Sequence, residues 1–226
     1  MKLLIVAATS FEIAPIKAFL SSCFELKEER TFIRGEHSVN LLITGVGQVA
    51  TAYHLGCELT QNDYDLVINM GIAGTFRRDW SLGSIVQIIS EQFAQLGAET
   101  ASGQFMDIFE LGLLKKDSFP FKNGKLVNSF SLPAEKIQKA AGITVDTTHG
   151  FEASIKTIEQ YYQPEIESME GAAFFYVCFS QKVKCLQLRG VSNYVEARNK
   201  NNWDIALAIQ NLNQTAIGLI RGWLHL

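Results

Sequence analysis

One acidic residue lies inside a segment that should otherwise enter a protein core. Glu170 is part of the run IESMEGAAFFYVCF (residues 166–179), and Gly171, Ala172 and Ala173 follow it. A carboxylate is rarely fully buried unless another group pairs with it. Small neighbours let another surface approach closely, and a carboxylate held there can accept two hydrogen bonds from a neutral diol. Ribose supplies such a diol, whereas the alternative is that Glu170 caps its own helix.

Polar residues and glycines also follow several predicted strands. Glu12 follows the first strand, the segment GVGQVA follows the third, MGIAG ends the strand DLVINM, and Asn193 follows LQLRGVS. In open α/β sheets the ligand site lies beyond the carboxyl ends of the strands. We therefore expect these residues to converge on one pocket.

Each of these residues has a structural alternative. Glu12 could be a first-turn acid at a helix N-terminus, and Asn193 a cap or turn residue. His149, in TTHGF, is more often a loop histidine than a base. The segment GVGQVA matches neither GxGxxG nor GxxxxGK[ST], so its glycines, like those of MGIAGTF, favour tight turns over a phosphate loop.

The elements that would position these residues alternate between strands and helices, which predicts an α/β fold. We predict strands at 2–8, 65–70, 84–90, 142–147, 166–168 and 184–191, and a hairpin over 30–44 that turns at residues 34–36. We predict helices at 11–20, 45–61 (after a glycine-rich turn), 152–162, 169–182 and 203–224. DLVINM should end in a tight loop, and residues 92–133 are the least regular part.

Length and composition predict one globular domain over residues 1–226. The net charge of −3 gives no reason to expect nucleic acid or an anionic membrane as a partner. No apolar stretch reaches 18 residues, and the N-terminus reads as a strand and not as a signal peptide. The four cysteines form neither CxxC nor a Cys/His cluster, so we expect reduced thiols, a cytoplasmic location and no metal site.

Four motifs in this order resemble the nucleoside phosphorylase/nucleosidase superfamily, particularly its hydrolytic branch. They are MKLLIVAATSFEI, GVGQVATA, INMGIAGTF and IESMEGAAFFYVC, and they extend over most of the chain. The resemblance implies a three-layer α/β/α sandwich with a central mixed, partly barrel-like sheet. It also implies a purine nucleoside substrate, no cofactor and a homodimer or higher homo-oligomer, to which the apolar 92–133 region could contribute.

The same resemblance implies roles for individual residues. Glu12 takes the place of the glutamate that activates water, and its pKa should be raised by burial. Met169 packs beneath the ribose, and Glu170 binds the ribose hydroxyls. Phe151 stacks on the base by family position, although it could equally be a core aromatic residue. Substrate contacts are expected as well from the glycine-rich segments, at Val46 and Gly74.

Two departures from the superfamily pattern narrow the expected reaction. Phosphorylases carry an arginine and a serine that hold phosphate where this chain has Asn69 and Ile72, so water is the expected nucleophile. Adenine-specific nucleosidases carry an aspartate where this chain has Asn193. An aspartate would face O6 of a 6-oxopurine acceptor to acceptor, whereas an asparagine amide can donate to O6. Asn193 therefore points to hypoxanthine or guanine, and the source of the proton for N7 stays open.

The segments SNYVEARNKNNWDI and SMEGAAFF resemble the futalosine hydrolases in particular, which release hypoxanthine from futalosine in a menaquinone pathway. Arg198 is then a candidate for the benzoate end of that substrate, or else a solvated surface arginine. The alternatives are a methylthioadenosine/S-adenosylhomocysteine nucleosidase, a purine nucleoside phosphorylase and a non-catalytic nucleoside-binding relative.

Overall fold

Strands and helices alternate along the chain, as the sequence predicts. A computed structural model describes residues 1–133 and 137–225. The strands are β1 (Lys2–Ala7), β2 (Glu25–Glu28), β3 (Thr31–Arg34), β4 (His37–Ile43), β5 (Leu66–Thr75), β6 (Ile85–Phe93), β7 (Gly97–Glu99), β8 (Phe105–Asp107), β9 (Leu126–Val127), β10 (Gln138–Thr144), β11 (Ile166–Ser168) and β12 (Cys185–Tyr194). The helices are α1 (Ala14–Cys23), α2 (Gln48–Gln61), α3 (Glu152–Tyr162), α4 (Gly171–Ser180) and α5 (Ile205–Leu224), with a 3-10 turn at Lys200–Asn202.

Ten of the strands form one mixed sheet. Its order is β11-β10-β6-β12-β5-β1-β4-β3-β2, and β9 pairs with β6. Strand β11 also pairs with β5, antiparallel, so the strands β5, β12, β6, β10 and β11 form a closed ring. The predicted central mixed, partly barrel-like sheet is confirmed. The closure matters for the site because it brings β11 beside β5, although about 90 residues separate them in sequence.

Helices cover both faces of the sheet, because strands such as β1 and β5 alternate between two apolar cores. Leu3 and Ile5 pack in the core under α1 and α5, whereas Leu4 and Val6 pack in the core under α2 and α4. A run of buried residues on successive positions is expected for a strand covered on both sides. This arrangement explains why KLLIVA reads as a continuous apolar run.

The predicted tight loop after DLVINM is wrong. Strand β5 continues through GIAGT to Thr75, and β12 pairs alongside it from Val67 to Thr75. The glycines of this strand allow neighbouring side chains to approach its backbone closely, and they do not form a turn. A Cβ at Gly71 would lie 2.6 Å from Arg189 Nη1 and 3.0 Å from Glu12 Oε1. The sequence pattern could not distinguish the two uses, because both favour glycine.

Several predicted boundaries shift by a few residues. Helix α1 begins at Ala14 and not at residue 11, because Pro15 occupies its first turn, where proline is favoured. Strand β10 covers residues 138–144 instead of 142–147, and α4 begins at Gly171, so Glu170 precedes it. Residues 92–133 contain the end of β6 and only the short strands β7, β8 and β9. None of the described helices is long and apolar enough to cross a membrane.

Candidate active site

A cavity of about 320 Å³ opens where the strands of the ring end. Side chains after β1 (Glu12), on β11 (Glu167) and before α4 (Met169, Glu170) line it. The end of β12 adds Asn193. The predicted convergence of strand-end residues on one pocket therefore matches the geometry, in keeping with the usual position of ligand sites in α/β sheets.

Glu12 is held at the cavity by its own side-chain contacts and not as a first-turn acid. One carboxylate oxygen, Oε2, accepts hydrogen bonds from the backbone N–H (2.9 Å) and the hydroxyl (3.0 Å) of Thr9, and Oε1 accepts the Ile72 N–H at 3.2 Å. Burial raises the pKa of the Glu12 carboxyl above its ordinary value, although the nearby Arg189 guanidinium and these N–H donors oppose the shift. A raised pKa suits a group that takes up a proton.

Two residues that the sequence analysis did not single out support Glu12 from behind. Arg189 of β12 is 1% exposed, and its Nε and Nη2 atoms have no hydrogen-bond partner within the described residues. Buried Asn213 of α5 donates to the Glu12 carbonyl at 2.8 Å and accepts the Ile16 N–H at 3.1 Å. Asn213 therefore fixes the chain at the start of α1, and Arg189 places a positive charge behind the carboxylate.

Glu170 occupies the N-cap position of α4, but its side chain does not cap that helix. Instead, Oε1 accepts the Gly47 N–H at 3.0 Å, from the turn before α2. Oε2 has no hydrogen-bond partner among the residues described, and Glu170 lines the cavity. Met169 and Ser168 lie beside it in the lining, and the buried Ser168 hydroxyl also has no partner there. The carboxylate is thus anchored through one oxygen and leaves the other available to a ligand.

Asn193 lies at the other side of the cavity, next to Gly74. Its Oδ1 accepts the Ser192 hydroxyl at 2.8 Å, and its Nδ2 donates to the Tyr194 carbonyl at 3.0 Å. One N–H of the amide is therefore left for a ligand. A Cβ at Gly74 would lie 2.9 Å from Val195 Cγ2 and 3.1 Å from Asn193 Nδ2, so the glycine allows these two side chains to pack closely against β5.

The remaining predicted residues lie at or beyond the cavity mouth. Val46 lines the cavity and is 56% exposed. Arg198 also lines it, donates to the Thr148 hydroxyl at 3.3 Å and lies over the Trp203 ring at 5.1 Å. Phe151 is neither in the lining nor in the core: it is 70% exposed at the start of α3. The alternative of a core aromatic residue is therefore wrong for Phe151, and its stacking on a base stays a prediction.

A further buried carboxylate lies outside the cavity lining, next to the start of α4. Glu91 of β6 is fully buried and accepts hydrogen bonds from Gln187 Nε2 (2.6 Å) and the Thr144 hydroxyl (3.0 Å). Burial raises the pKa of Glu91 to about 7, although Gln187, Arg189 and Thr144 oppose the shift. Glu91 contacts the backbone at Gly171, where any side chain would collide with its carboxylate. Glu91 thus supports the helix start that follows Glu170.

The chain matches a known enzyme family over nearly its whole length. The model of the phosphorylase superfamily matches residues 2–222, and the chain belongs to that superfamily. A futalosine hydrolase of Streptomyces coelicolor is 30% identical over 226 residues, covering 96% of this chain and 94% of the relative.

Solved structures agree in fold. A 5′-methylthioadenosine/S-adenosylhomocysteine nucleosidase of Helicobacter pylori, crystallised with butyl-thio-DADMe-Immucillin-A, superposes with a TM-score of 0.79 at 15% identity and covers 98% of each chain. A futalosine hydrolase of the same organism gives a TM-score of 0.77 at 15% identity, also with 98% coverage of each chain. At this identity the likeness concerns the fold alone.

Proposed function

We propose that this protein hydrolyses the N-ribosidic bond of futalosine, releasing hypoxanthine and dehypoxanthine futalosine in menaquinone biosynthesis. The observation that carries the proposal is that Glu12 and Glu170 line one cavity with Asn193. Binding a nucleoside needs no general base, whereas hydrolysis needs a group such as Glu12 that takes a proton from water. The relative from Streptomyces coelicolor supports futalosine as the substrate, since it matches nearly the whole chain.

In the proposed mechanism Glu12 takes a proton from a water molecule beneath C1′ of the ribose. The water oxygen bonds to C1′, the C1′–N9 bond breaks, and its electron pair leaves with the purine. The purine gains one proton and Glu12 has taken one from water, so after Glu12 releases its proton the reaction has consumed one water and no net proton. The free oxygen of Glu170 accepts hydrogen bonds from the ribose hydroxyls and stabilises the positive charge that develops on the sugar. Met169 provides an apolar floor, and Val46 and Gly74 border the bound nucleoside.

Water is the proposed nucleophile because the phosphate-binding pair of the phosphorylases has no counterpart here. Asn69 is buried and donates to the Val6 carbonyl at 3.2 Å, while Ile72 contributes a backbone N–H to Glu12. The test is incubation of the purified protein with futalosine and, separately, methylthioadenosine in phosphate-free buffer, followed by chromatography of the released base. Hypoxanthine from futalosine alone supports the proposal. Adenine from methylthioadenosine alone, or turnover only after phosphate is added, would contradict it.

Asn193→Asp should transfer preference from 6-oxopurine to 6-aminopurine nucleosides. The free amide N–H of Asn193 can donate to O6, whereas an ionised aspartate only accepts and would face O6 without a hydrogen between them. We expect kcat/KM for futalosine to fall by about 10²-fold or more, with a smaller loss or a gain for its 6-amino counterpart. Steady-state kinetics on both substrates provide the measurement, and equal losses on both would remove the specificity role.

Arg198→Ala should raise KM for futalosine by about tenfold with little effect on inosine. We propose that the guanidinium, at the cavity mouth beside Thr148 and Trp203, pairs with the benzoate carboxylate beyond C5′. Charge-assisted hydrogen bonds of this kind contribute about 1.5–3 kcal/mol, and exposure to solvent reduces that value. Inosine lacks the benzoate, so it is the matched control. Similar changes in KM for futalosine and inosine would mean that Arg198 is a solvated surface residue and does not bind the benzoate.

We also propose a homodimer or higher homo-oligomer. The exposed apolar side chains Val49 and Tyr53 lie one turn apart on α2, and Leu113 and Phe119 are exposed in the 92–133 region. Light scattering should give a mass of at least twice the 25.2 kDa of one chain, and a mass of one chain would contradict the proposal. The cytoplasmic location and the single domain over residues 1–226 stay predictions from the sequence.

A further inference from the structure

Glu167 and His149 form a buried pair in the cavity wall that the proposed mechanism does not use. The His149 ring contacts Glu167 Oε2 through Nδ1, and the His149 backbone N–H donates to Glu167 Oε1 at 2.9 Å. The two side chains are 6% and 3% exposed. Both residues line the cavity, and the other ring nitrogen, Nε2, has no partner within residues 1–133 and 137–225. An imidazole held in this way presents one defined atom to a ligand.

Strand pairing places this pair opposite Asn193. Glu167 of β11 and Asn193 of β12 both pair with Gly74 of β5, from its two sides. Residues in one row of a sheet point to the same face, and neighbouring strands lie about 4.8 Å apart. The backbones of Glu167 and Asn193 are therefore about two strand spacings apart. Strand β12 bulges between Val191 and Asn193, and both Glu167 and Asn193 line the cavity. A flat base bound in the cavity could therefore present O6 and N7 to Asn193 and the neighbouring N1 position to the His149–Glu167 pair.

The carboxylate determines which hydrogen the imidazole carries. Oε1 of Glu167 is occupied by a backbone N–H, and an ionised Oε2 can only accept, so Nδ1 carries the hydrogen that it donates. In the neutral ring Nε2 then has a lone pair and acts as an acceptor. A 6-oxopurine has a hydrogen on N1, next to O6, whereas adenine has a lone pair at N1.

We propose that Nε2 of His149, oriented by Glu167, accepts the N1–H of a 6-oxopurine and rejects adenine. This inference rests on the proposed function, because Asn193 is taken to contact O6 and N7. His149 recognises the base and Glu167 is a positioning residue. Asn193 and His149 then each form a hydrogen bond with the same base. A base that leaves either of these buried groups without a matching partner binds more weakly.

Glu167→Gln tests the proposal because it should invert the hydrogen-bonding polarity of His149. The backbone N–H of His149 can only donate, so the glutamine oxygen must stay on it and the NH₂ group must face Nδ1. Nδ1 then becomes the acceptor and Nε2 carries the hydrogen, which suits N1 of adenine. We expect the ratio of hypoxanthine to adenine affinity to fall at least about tenfold relative to the wild type. If Glu167 had only a structural role, the substitution would lower the affinity for hypoxanthine and for adenine equally.

Calorimetric titration with free hypoxanthine and free adenine provides this ratio without requiring turnover. Glu196→Gln is the matched control, since Glu196 is a carboxylate at the same cavity that pairs with Arg78. Its affinity ratio should equal that of the wild type. His149→Leu should weaken hypoxanthine about tenfold without weakening adenine. An unchanged ratio in folded Glu167→Gln and His149→Leu proteins would overturn the inference.

A measurement on the unmodified protein covers the case in which the variants do not fold. Nitrogen NMR of the ¹⁵N-histidine-labelled protein with bound hypoxanthine should show one ring with hydrogen on Nδ1 and none on Nε2. A hydrogen on Nε2 of the base-responsive histidine would overturn the inference. Failure of the proposed function would look different, because the wild type would then release no hypoxanthine from futalosine whatever the state of His149.

Discussion

Glu12→Gln should lower kcat for hypoxanthine release by about 10³-fold while leaving the dissociation constant for futalosine within about threefold. The amide has the size of the carboxylate, and its oxygen can keep accepting either the Thr9 N–H or the Ile72 N–H. One of these hydrogen bonds is lost, but the dimensions of the cavity are kept. It cannot take up the proton of the attacking water, and general base catalysis contributes roughly 10²–10⁴-fold. Single-turnover kinetics and calorimetry on the same preparation separate the two quantities. Unchanged turnover would exclude Glu12 as the base.

The pH profile provides an internal check on this assignment. Glu12 acts in its deprotonated form, so kcat/KM of the wild type should fall as pH drops through the carboxyl pKa. Burial raises the pKa of Glu12, so this acid limb should lie above the ordinary carboxyl range. The limb should be absent in Glu12→Gln. Glu196→Gln, which removes another carboxylate at the cavity, should keep both the rate within about threefold and the acid limb.

Glu170→Gln should lower kcat/KM for futalosine by about 10²–10³-fold. The glutamine oxygen can keep the hydrogen bond to the Gly47 N–H, which places its NH₂ group where the free carboxylate oxygen now faces the cavity. An NH₂ group cannot accept from the ribose hydroxyls, and it has no negative charge to stabilise the oxocarbenium-like transition state. Hydrogen bonds to charged groups contribute about 1.5–3 kcal/mol each, so losing one or two corresponds to this range.

The matched control for Glu170 changes the substrate instead of the protein. A 2′,3′-dideoxy counterpart lacks the hydroxyls, so the variant should process it within about tenfold of the wild-type rate. The remaining difference would measure the charge effect alone. Equal losses on the two substrates would mean that Glu170 supports the fold through Gly47 and α4 and does not bind the sugar.

The sequence by itself determined the type of fold and three of the residues at the cavity. Apolar runs bounded by polar residues and glycines predict strands in the right order, because a strand covered on both faces must be apolar throughout. Glu12, Glu170 and Asn193 stand out because they follow such runs. The residue type alone also determines hydrogen-bonding capacity: an amide at position 193 can donate a hydrogen bond, whereas an ionised carboxylate cannot.

Only the tertiary structure decided which groups meet. Arg189 reads as one charged residue in the strand CLQLRGVSNY, and its nearly complete burial behind Glu12 depends on β5 and β6 lying on either side of β12. His149 reads as a loop histidine, yet it pairs with Glu167, which lies 18 residues further along the chain. Gly71 reads as a turn residue, although the Arg189 guanidinium occupies the space that a side chain at position 71 would need. Sequence periodicity reports which face of an element is buried, whereas partners across the sheet are set by strand pairing between distant segments.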